Sequence, residues 1–240
     1  EQANQEAAQE SGAKPIPEPR PEQFSKPGPE QATQQGQEEV MLARIFGDRQ
    51  DLAVAYHESL ATDATTRGFI GPREKPRLWD RHIYNCAVIG EAIPEGARVI
   101  DIGSGAGLPG IPLAIARPDL QVTLLEPLLK RSNYLAEITE KLGLDNVTVI
   151  RDRAENLGKD AKFDVVTSRA VAPLAKLARW SLPLCKPGGM MLAMKGASAS
   201  EEIERDKSAI KRAQGERAEI ITVGAELEES TTLIRVHRVK

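Results

Sequence analysis

The decapeptide DIGSGAGLPG, residues 101–110, constrains the fold of this chain more than any other stretch of its sequence. It follows an apolar run at Val99 and Ile100, and the apolar segment 111–116 behind it can form a helix. A glycine-rich turn between a buried strand and a helix brings bare backbone N–H groups up to a ligand in α/β proteins. We therefore expect an α/β fold with a ligand site at this turn.

Strand-like and helix-like patterns alternate from residue 98 onward. Helical patterns at residues 109–116, 130–142 and 172–184, with a short loop at 153–157, separate the first five strands, and a helix at 199–213 precedes the last two. This alternation predicts a mostly parallel sheet with helices on both faces, closed by an antiparallel hairpin. The predicted strands are residues 98–102, 121–126, 147–151, 164–168, 190–195, 220–224 and 232–239.

Composition divides the chain into three regions. Residues 1–39 are rich in Gln, Glu, Pro and Gly, so they predict a disordered acidic tail, with eight glutamates against three basic residues. Residues 40–96 carry apolar side chains at helical spacing and predict an N-terminal helical subdomain, which leaves residues 97–240 as the α/β domain. Outside the tail, 29 basic residues face 27 acidic ones, so a polyanionic partner is compatible with the charge.

Several classes of protein do not fit this composition. No apolar run approaches the roughly 18 residues of a membrane span, and the first residues are too polar for a signal peptide. Cys86 and Cys185 are far apart and form no metal or redox spacing. We expect a cytoplasmic monomer with free thiols, no metal and no membrane contact.

The spacing of the glycine turn indicates which ligand it holds. In such sheets the ligand lies at the carboxyl ends of the strands, which places Gly103, Gly105 and Gly107 at the site. A nicotinamide dinucleotide fingerprint needs its third glycine at the position of Leu108. Glu126, at the end of the second predicted strand, can accept both hydroxyls of a ribose. The pattern favours S-adenosylmethionine over NAD and a Rossmann-like methyltransferase sheet.

The loop after the third predicted strand completes the candidate cofactor site. In the sequence RDRAEN, Ala154 and Glu155 are placed to contact the edge of an adenine. Simpler roles fit two of the acids equally well, since Asp101 can be a cap of the glycine turn and Glu155 a solvated loop charge.

The end of the fourth predicted strand bears on the acceptor. Methylation of an exocyclic amine calls for an Asp/Asn-Pro-Pro-aromatic clamp, whereas residues 167–171 read TSRAV. Methylation of cytosine carbon 5 needs a cysteine nucleophile, and Cys185 is better explained by packing. A ring nitrogen with a free lone pair remains, and alignment alone can suffice because it has no proton to lose. No catalytic residue is assigned, and the positioning candidates are Arg169 and Lys195.

A basic segment precedes the α/β domain. The sequence RGFIGPREKPRLWDRH, residues 67–82, interleaves Phe69 and Trp79 with basic residues, which suits phosphate contacts and base stacking on RNA. A solvated loop with a core tryptophan is the alternative, and His82 is expected to be a structural hydrogen bonder rather than a catalyst. The RNA-binding candidates are Arg67, Arg73, Lys75, Arg77 and Arg81.

Five motifs together resemble the bacterial small-subunit ribosomal RNA guanine-N7 methyltransferases, the glucose-inhibited division protein B family. They are RHIYNC, VIDIGSGAGLPGIPLAIARPDLQVTLLEPLLKR, RDRAEN, FDVVTSRAVAPL and LAMKG, and the resemblance covers residues 46–240. It implies a cytoplasmic enzyme that uses S-adenosylmethionine to methylate N7 of one guanosine in 16S ribosomal RNA, free or in the small subunit. The implied cofactor contacts are Gly103, Leu108, Ala154, Glu155 and Arg169.

The chain departs from this family pattern in two places. Many members carry Asn-Leu-Thr before a His-Ile-Leu-Asp-Ser helix, whereas this helix reads His-Ile-Tyr-Asn-Cys and has Asn85 in place of the acid. The ribose acid is Glu126 where many members have Asp, a change that the chemistry tolerates.

Three other functions compete with that of the ribosomal RNA methyltransferase. A small-molecule or protein methyltransferase predicts a closed apolar substrate pocket and no RNA binding. A non-catalytic, cofactor-bound RNA-binding module predicts RNA affinity without methyl transfer. A nicotinamide-dependent oxidoreductase is disfavoured by Leu108.

Overall fold

A seven-stranded sheet in the order β3-β2-β1-β4-β5-β7-β6 is the centre of the fold. The computed structural model describes residues 29–158, 160–169 and 171–239. Strands β1 to β5 are parallel, while β7 runs antiparallel to both of its neighbours, β5 and β6, so the predicted fold class and closing hairpin are confirmed. The strands are β1 (Arg98–Ile102), β2 (Gln121–Leu125), β3 (Val147–Ile150), β4 (Phe163–Arg169), β5 (Cys185–Met194), β6 (Gly215–Val223) and β7 (Thr231–Arg238).

Helices connect the strands much as the apolar periodicity predicts. The predicted helix at residues 172–184 is shorter than expected, because Pro183 sits in a 3₁₀ turn, Leu182–Leu184, that ends it. Before the sheet, π-helical turns at Leu60–Ala64 and Leu78–Tyr84 extend the helical layer. The α-helices are α1 (Pro29–Phe46), α2 (Gln50–Ser59), α3 (Asn85–Ala87), α4 (Gly110–Ala116), α5 (Leu129–Leu142), α6 (Leu174–Ser181) and α7 (Ala199–Arg212).

The predicted disordered tail is too long at its C-terminal end. Residues 29–39 belong to α1, while residues 1–28 of the predicted tail lie outside the described residues. This segment is rich in Gln and Glu, which are good helix formers, and its continuation buries Leu42 and Phe46. Residues 38–240 form one compact unit, so a boundary between residues 96 and 97 stays a prediction.

Two apolar cores cover the two faces of the sheet. Successive strand residues point to opposite faces, so Val165 of β4 joins one core and Val166 the other. The first core also holds apolar residues of α1 to α5, and the second those of α6 and α7. Burial on both faces explains why β1, β2 and β4 read as nearly continuous apolar runs.

The ends of the parallel strands lie level at one edge of the sheet. Ile102 of β1 pairs with Leu125 of β2, which in turn pairs with Ile150 of β3. The loops that follow these residues therefore meet at the carboxyl edge, where ligands bind in sheets of this topology.

Candidate active site

The glycine loop between β1 and α4 is built on left-handed backbone. Gly103, Gly105 and Gly107 have φ angles of +69°, +59° and +100°. The loop is also crowded, because a Cβ at position 107 would lie 2.5 Å from Cδ1 of Ile111 and 3.0 Å from the hydroxyl of Tyr56. Left-handed backbone favours glycine, so the glycines predicted to form a tight turn do form one.

Asp101, near the end of β1, caps the glycine loop by a hydrogen bond at the start of α4. It is fully buried, and its Oδ2 accepts a hydrogen bond from the N–H of Gly110 at 3.0 Å. Burial penalises the charged form and raises the pKa of Asp101 to about 7. Its Oδ1 has no hydrogen-bond partner among the described residues. The capping role that the sequence left open for Asp101 is therefore present.

Glu126 accepts hydrogen bonds from the glycine loop and from the segment after β2. Its side chain is buried, Oε2 accepts from the N–H of Gly105 at 2.9 Å, and Oε1 accepts from the N–H of Leu128 at 3.0 Å. Each carboxylate oxygen keeps further acceptor capacity after one hydrogen bond. Glu126 thus orders the glycine loop, and its contact with a ribose stays a prediction.

A cavity of about 410 Å³ opens at the ends of β1, β2 and β3. Of the predicted cofactor residues, Gly103, Ala154 and Glu155 line it. Leu108 does not, because it is buried in the core beside the N-terminal helices. The volume falls within the range of about 300–1,000 Å³ that small-molecule sites occupy.

The wall of this cavity contains side chains that sequence reasoning missed. Asp152 lines it just after β3, and Lys176, Arg179 and Trp180 line it from α6. The spacing of the three α6 residues was the available signal, since positions i, i+3 and i+4 share one helix face. These residues add a carboxylate, two cations and a large ring to the site.

The cavity suits an adenosine-type cofactor. Its floor is apolar at Ile102 and Leu125, while Asp152 and Glu155 provide carboxylates at its rim. At Gly103 a Cβ would lie 3.1 Å from Cγ2 of Val171, so a larger side chain would crowd this wall of the cavity. Apolar lining together with carboxylate acceptors suits a purine with an exocyclic amine and a ribose.

Arg169 points away from this cavity and toward the helical layer. Its Nη1 lies 2.6 Å from Nδ1 of His82, whose Nε2 lies 2.7 Å from Oε2 of Glu74. On β4, residue 169 has the same parity as Val165, which belongs to the core shared with the N-terminal helices. The structural hydrogen bonding expected of His82 is present, and Arg169 lies outside the cavity wall.

Lys195 is occupied by structural contacts. Its Nζ lies 2.9 Å from Oε2 of Glu202 and donates to the carbonyl of Ala172 at 3.1 Å. The side chain thereby ties the segment after β4 to α7. The partly buried ammonium already has a carboxylate partner, and a role of Lys195 in positioning the substrate stays a prediction.

The two aromatic rings of the basic segment pack against other rings of the protein. Trp79 stacks on His57 with ring centroids 4.4 Å apart and on Tyr84 at 5.3 Å, and Phe69 packs against Tyr134. Both rings are partly buried against the core, so a role in base stacking on RNA stays a prediction.

The cations of the same segment differ in availability. Arg67 pairs with Glu137 at 2.6 Å. The other four are exposed and form no ion pair with any described residue. These are Arg73, Lys75, Arg77 and Arg81.

Both cysteines are free and buried, as expected. Burial raises the pKa of Cys86 and that of Cys185 to about 12, so neither thiol is a ready nucleophile. Within the described ranges, no three His, Cys, Asp or Glu side chains are grouped so as to hold a metal ion. No helix in that part of the chain is long and apolar enough to cross a membrane.

A family model described as rRNA small subunit methyltransferase G, GidB, matches residues 49–232, which include the glycine loop, the cavity and the segment after β4. The chain belongs to the GidB family. A ribosomal RNA small subunit methyltransferase G of Corynebacterium efficiens is 66% identical over 202 residues, covering 82% of this chain and 87% of that protein. The protein of the same name from Streptomyces coelicolor is 54% identical over 194 residues, covering 80% of this chain and 81% of its own.

Solved structures share the fold of this GidB member at low identity. An S-adenosylmethionine-dependent O-methyltransferase from Thermotoga maritima aligns with a TM-score of 0.50 at 19% identity, covering 70% of each chain. The [4+2]-cyclase SpnF also has a TM-score of 0.50, at 14% identity over 65% of this chain and 79% of its own. The expected family and its methyltransferase character are confirmed, and with them S-adenosylmethionine as the cofactor of this family and fold.

Proposed function

We propose that this GidB protein transfers a methyl group from S-adenosylmethionine to N7 of one guanosine in 16S ribosomal RNA. The family match over residues 49–232 carries the proposal, because it spans the loop, the cavity and the segment after β4. The names of the relatives in Corynebacterium and Streptomyces support small-subunit ribosomal RNA as the substrate. The resemblance of the sequence motifs supports N7 of guanine.

The proposed cofactor contacts follow the cavity. The adenine lies between Ala154 and the α6 face that carries Trp180, with Asp152 and Glu155 at the rim. The glycine loop presents backbone to the methionine end, and Glu126 accepts from the ribose. When bound, S-adenosylmethionine supplies a methyl group that is activated by a positively charged sulfur.

Methyl transfer to guanine N7 requires the protein to align the reactants rather than to transfer a proton. Guanine N7 has a free lone pair and carries no proton, so attack needs no obligatory general base. The sequence TSR at the end of β4 lacks an amine clamp, which supports a ring nitrogen as acceptor. The protein's contribution is to hold the acceptor, the methyl carbon and the sulfur in line and to exclude water.

The exposed cations of the basic segment provide the proposed RNA contact. Arg73, Lys75, Arg77 and Arg81 are free to meet phosphates, whereas Arg67 is held by Glu137. We further propose that the protein works in the cytoplasm, where small subunits are assembled. A monomer suffices in this proposal, since one chain supplies the whole cavity wall.

The decisive experiment supplies labelled S-adenosylmethionine with protein-free 16S RNA, and separately with small subunits from a strain that lacks the enzyme. Nucleoside analysis is expected to find the label in 7-methylguanosine. The control is Gly103→Val, whose side chain would meet Val171 and narrow the cavity. Label in another nucleoside contradicts the N7 assignment, and saturable cofactor binding without labelled RNA contradicts the RNA substrate.

A further inference from the structure

Three polar side chains from separate segments form a line that ends at the carboxyl edge of the sheet. Glu74 lies in a 3₁₀ turn (Pro72–Arg77), His82 in the π-helical turns Leu78–Tyr84, and Arg169 at the end of β4. The imidazole is well buried, with 13% of its side chain exposed, while Glu74 is 37% exposed. The line runs from Glu74, which contacts solvent, to Arg169 at the end of β4. Val171, two residues further along the chain, lines the cavity.

The geometry fixes the proton on the imidazole. A guanidinium can only donate hydrogen bonds, so Nδ1 of His82 must accept from Nη1 of Arg169 at 2.6 Å. A neutral imidazole then carries its proton on Nε2, which donates to Oε2 of Glu74 at 2.7 Å. Burial lowers the pKa of His82, which favours this neutral form. A protonated imidazole would instead turn an N–H toward the guanidinium.

The surroundings of the line are also charged. His82 is faced by Glu74, by Arg169 and by Arg81 of its own segment. On the far side, the guanidinium of Arg169 is close enough to influence the pKa values of Tyr56, Cys86 and Asp101. Groups from the helical layer and from β1 thus surround the guanidinium, and besides His82 the Cys86 thiol is its hydrogen-bond partner.

We propose that His82, oriented by Glu74, is a positioning residue that fixes Arg169 for methyl transfer, an inference that rests on the proposed function. A guanidinium has five N–H donors, so after its contacts with His82 and Cys86 it keeps others for an anionic oxygen of the reactants. That oxygen belongs to the methionine carboxylate of the cofactor or to an RNA phosphate. When the guanidinium of Arg169 is oriented before the reactants bind, less conformational entropy is lost as the reactive complex forms.

A matched pair of amide variants separates the two contacts of the ring. In His82→Asn the amide oxygen can take the place of Nδ1 and accept from Arg169. In His82→Gln the amide reaches the place of Nε2 and meets Glu74 instead. We expect His82→Gln to lower kcat/KM by about tenfold to a hundredfold, and His82→Asn to lose several-fold less, because only the Arg169 contact carries the effect. Equal losses in the two variants would overturn the proposal.

A double-mutant cycle tests whether the effect runs through Arg169. With Arg169→Ala, the further change His82→Gln is expected to cost little more, since its target is gone. Additive losses, or an Arg169→Ala variant with full activity, would contradict the proposal. Cofactor affinity without RNA and KM for RNA are measured on the same variants. A loss in cofactor affinity identifies the carboxylate as the anionic partner, and a loss in KM for RNA alone identifies the phosphate.

The pH profile gives a readout that a purely structural role would not move. Protonation of His82 removes the acceptor of Arg169, so activity is expected to rise with pH through the His82 pKa, below 6.5. His82→Asn should abolish this acid limb. Glu74→Gln should move it to lower pH, because the Glu74 carboxylate raises the pKa of His82. Glu140→Gln removes an exposed carboxylate from α5 without touching the line, and should leave the profile unchanged.

Nitrogen NMR of the histidine ring tests the same inference without any reaction. The protein alone should show an unprotonated Nδ1 and a protonated Nε2 for His82 at neutral pH. A proton on Nδ1, or a charged ring, would overturn the proposal. If the wild type labels no RNA, the proposed function fails, while the NMR result and the cofactor affinities of the His82 variants still decide whether His82 positions Arg169.

Discussion

The buried carboxyl group of Asp101 makes the stability of the protein depend on pH. Its pKa is raised to about 7 in the folded protein, against 3.8 for an ordinary aspartate. The folded state therefore holds this proton more tightly than the unfolded chain does. The associated stability is fully present below about pH 4 and is lost as the pH rises through 7.

Asp101→Asn should remove this dependence. The amide oxygen can still accept from Gly110, so we expect the thermal midpoint of the variant, relative to the wild type, to rise between pH 5 and pH 8. Between pH 5 and pH 8 the change in the free energy of unfolding is at most about 3 kcal/mol, because the raised pKa lies about two pH units above the lower end of this range. Thermal unfolding in buffers from pH 5 to 8 measures it.

Asp119→Asn is the matched control for this prediction. The hydrogen bond from Arg117 lowers the pKa of Asp119 to about 2, so this carboxylate is charged throughout pH 5 to 8. The effect of Asp119→Asn on the thermal midpoint should be constant over this range. A constant effect of Asp101→Asn as well would show that Asp101 is ionised in the folded protein at pH 5.

Gly110→Ala tests the close packing beneath the loop. An added Cβ would lie 2.2 Å from Cδ2 of Leu124 and 2.9 Å from Oδ2 of Asp101, so the helix start must shift. Overpacking of this kind costs about 1–3 kcal/mol, to be measured by denaturant unfolding. Gly196→Ala is the control, because nothing lies within 4 Å of its added Cβ. Equal stability of the two variants would contradict the packing described for Gly110.

At the scale of elements, α2 supports the glycine loop through a single buried hydroxyl. Tyr56 donates a hydrogen bond to the carbonyl of Ala106 at 2.7 Å, and the side chain is fully buried. Loss of such a hydrogen bond costs about 0.5–1.5 kcal/mol. The helical layer is thereby coupled to the conformation of the candidate cofactor site.

Tyr56→Phe should weaken cofactor binding by about threefold to tenfold, because the free loop gains conformations that bind poorly. Titration calorimetry with S-adenosylmethionine measures the change. Tyr134→Phe deletes a buried hydroxyl of α5, which bonds to Ser59 of α2 and not to the loop. It should lower stability while leaving cofactor affinity unchanged, and a similar affinity loss in both variants would contradict the specific link.

The exposed cations of the basic segment should make RNA binding depend on salt concentration. Replacing Arg73, Lys75 and Arg77 together with Gln should weaken RNA binding and reduce the slope of log K against log salt by about 0.7 for each lost phosphate contact. RNA binding measured at several salt concentrations tests this. The control replaces three exposed cations of α7, namely Lys207, Lys211 and Arg212. An equal change in slope would point to non-specific attraction.

At the scale of the whole molecule, the sheet was predictable because parallel strands buried on both faces leave apolar runs at regular intervals. The glycine loop was predictable because its backbone needs glycine. The direction of Arg169 follows from strand parity, but its partner does not, since His82 lies 87 positions away in the chain. The ring contacts of Trp79 and Phe69 were not predictable, because local sequence does not show which distant rings they meet.

The position of β7 inside the sheet also has a consequence for folding. It follows every other strand in the chain, yet it lies between β5 and β6. Until β7 pairs, β6 therefore has no strand partner and the edge of β5 is bare. A folding intermediate that lacks β7 exposes two strand edges to chaperones and to other chains, and the docking of β7 closes both at once.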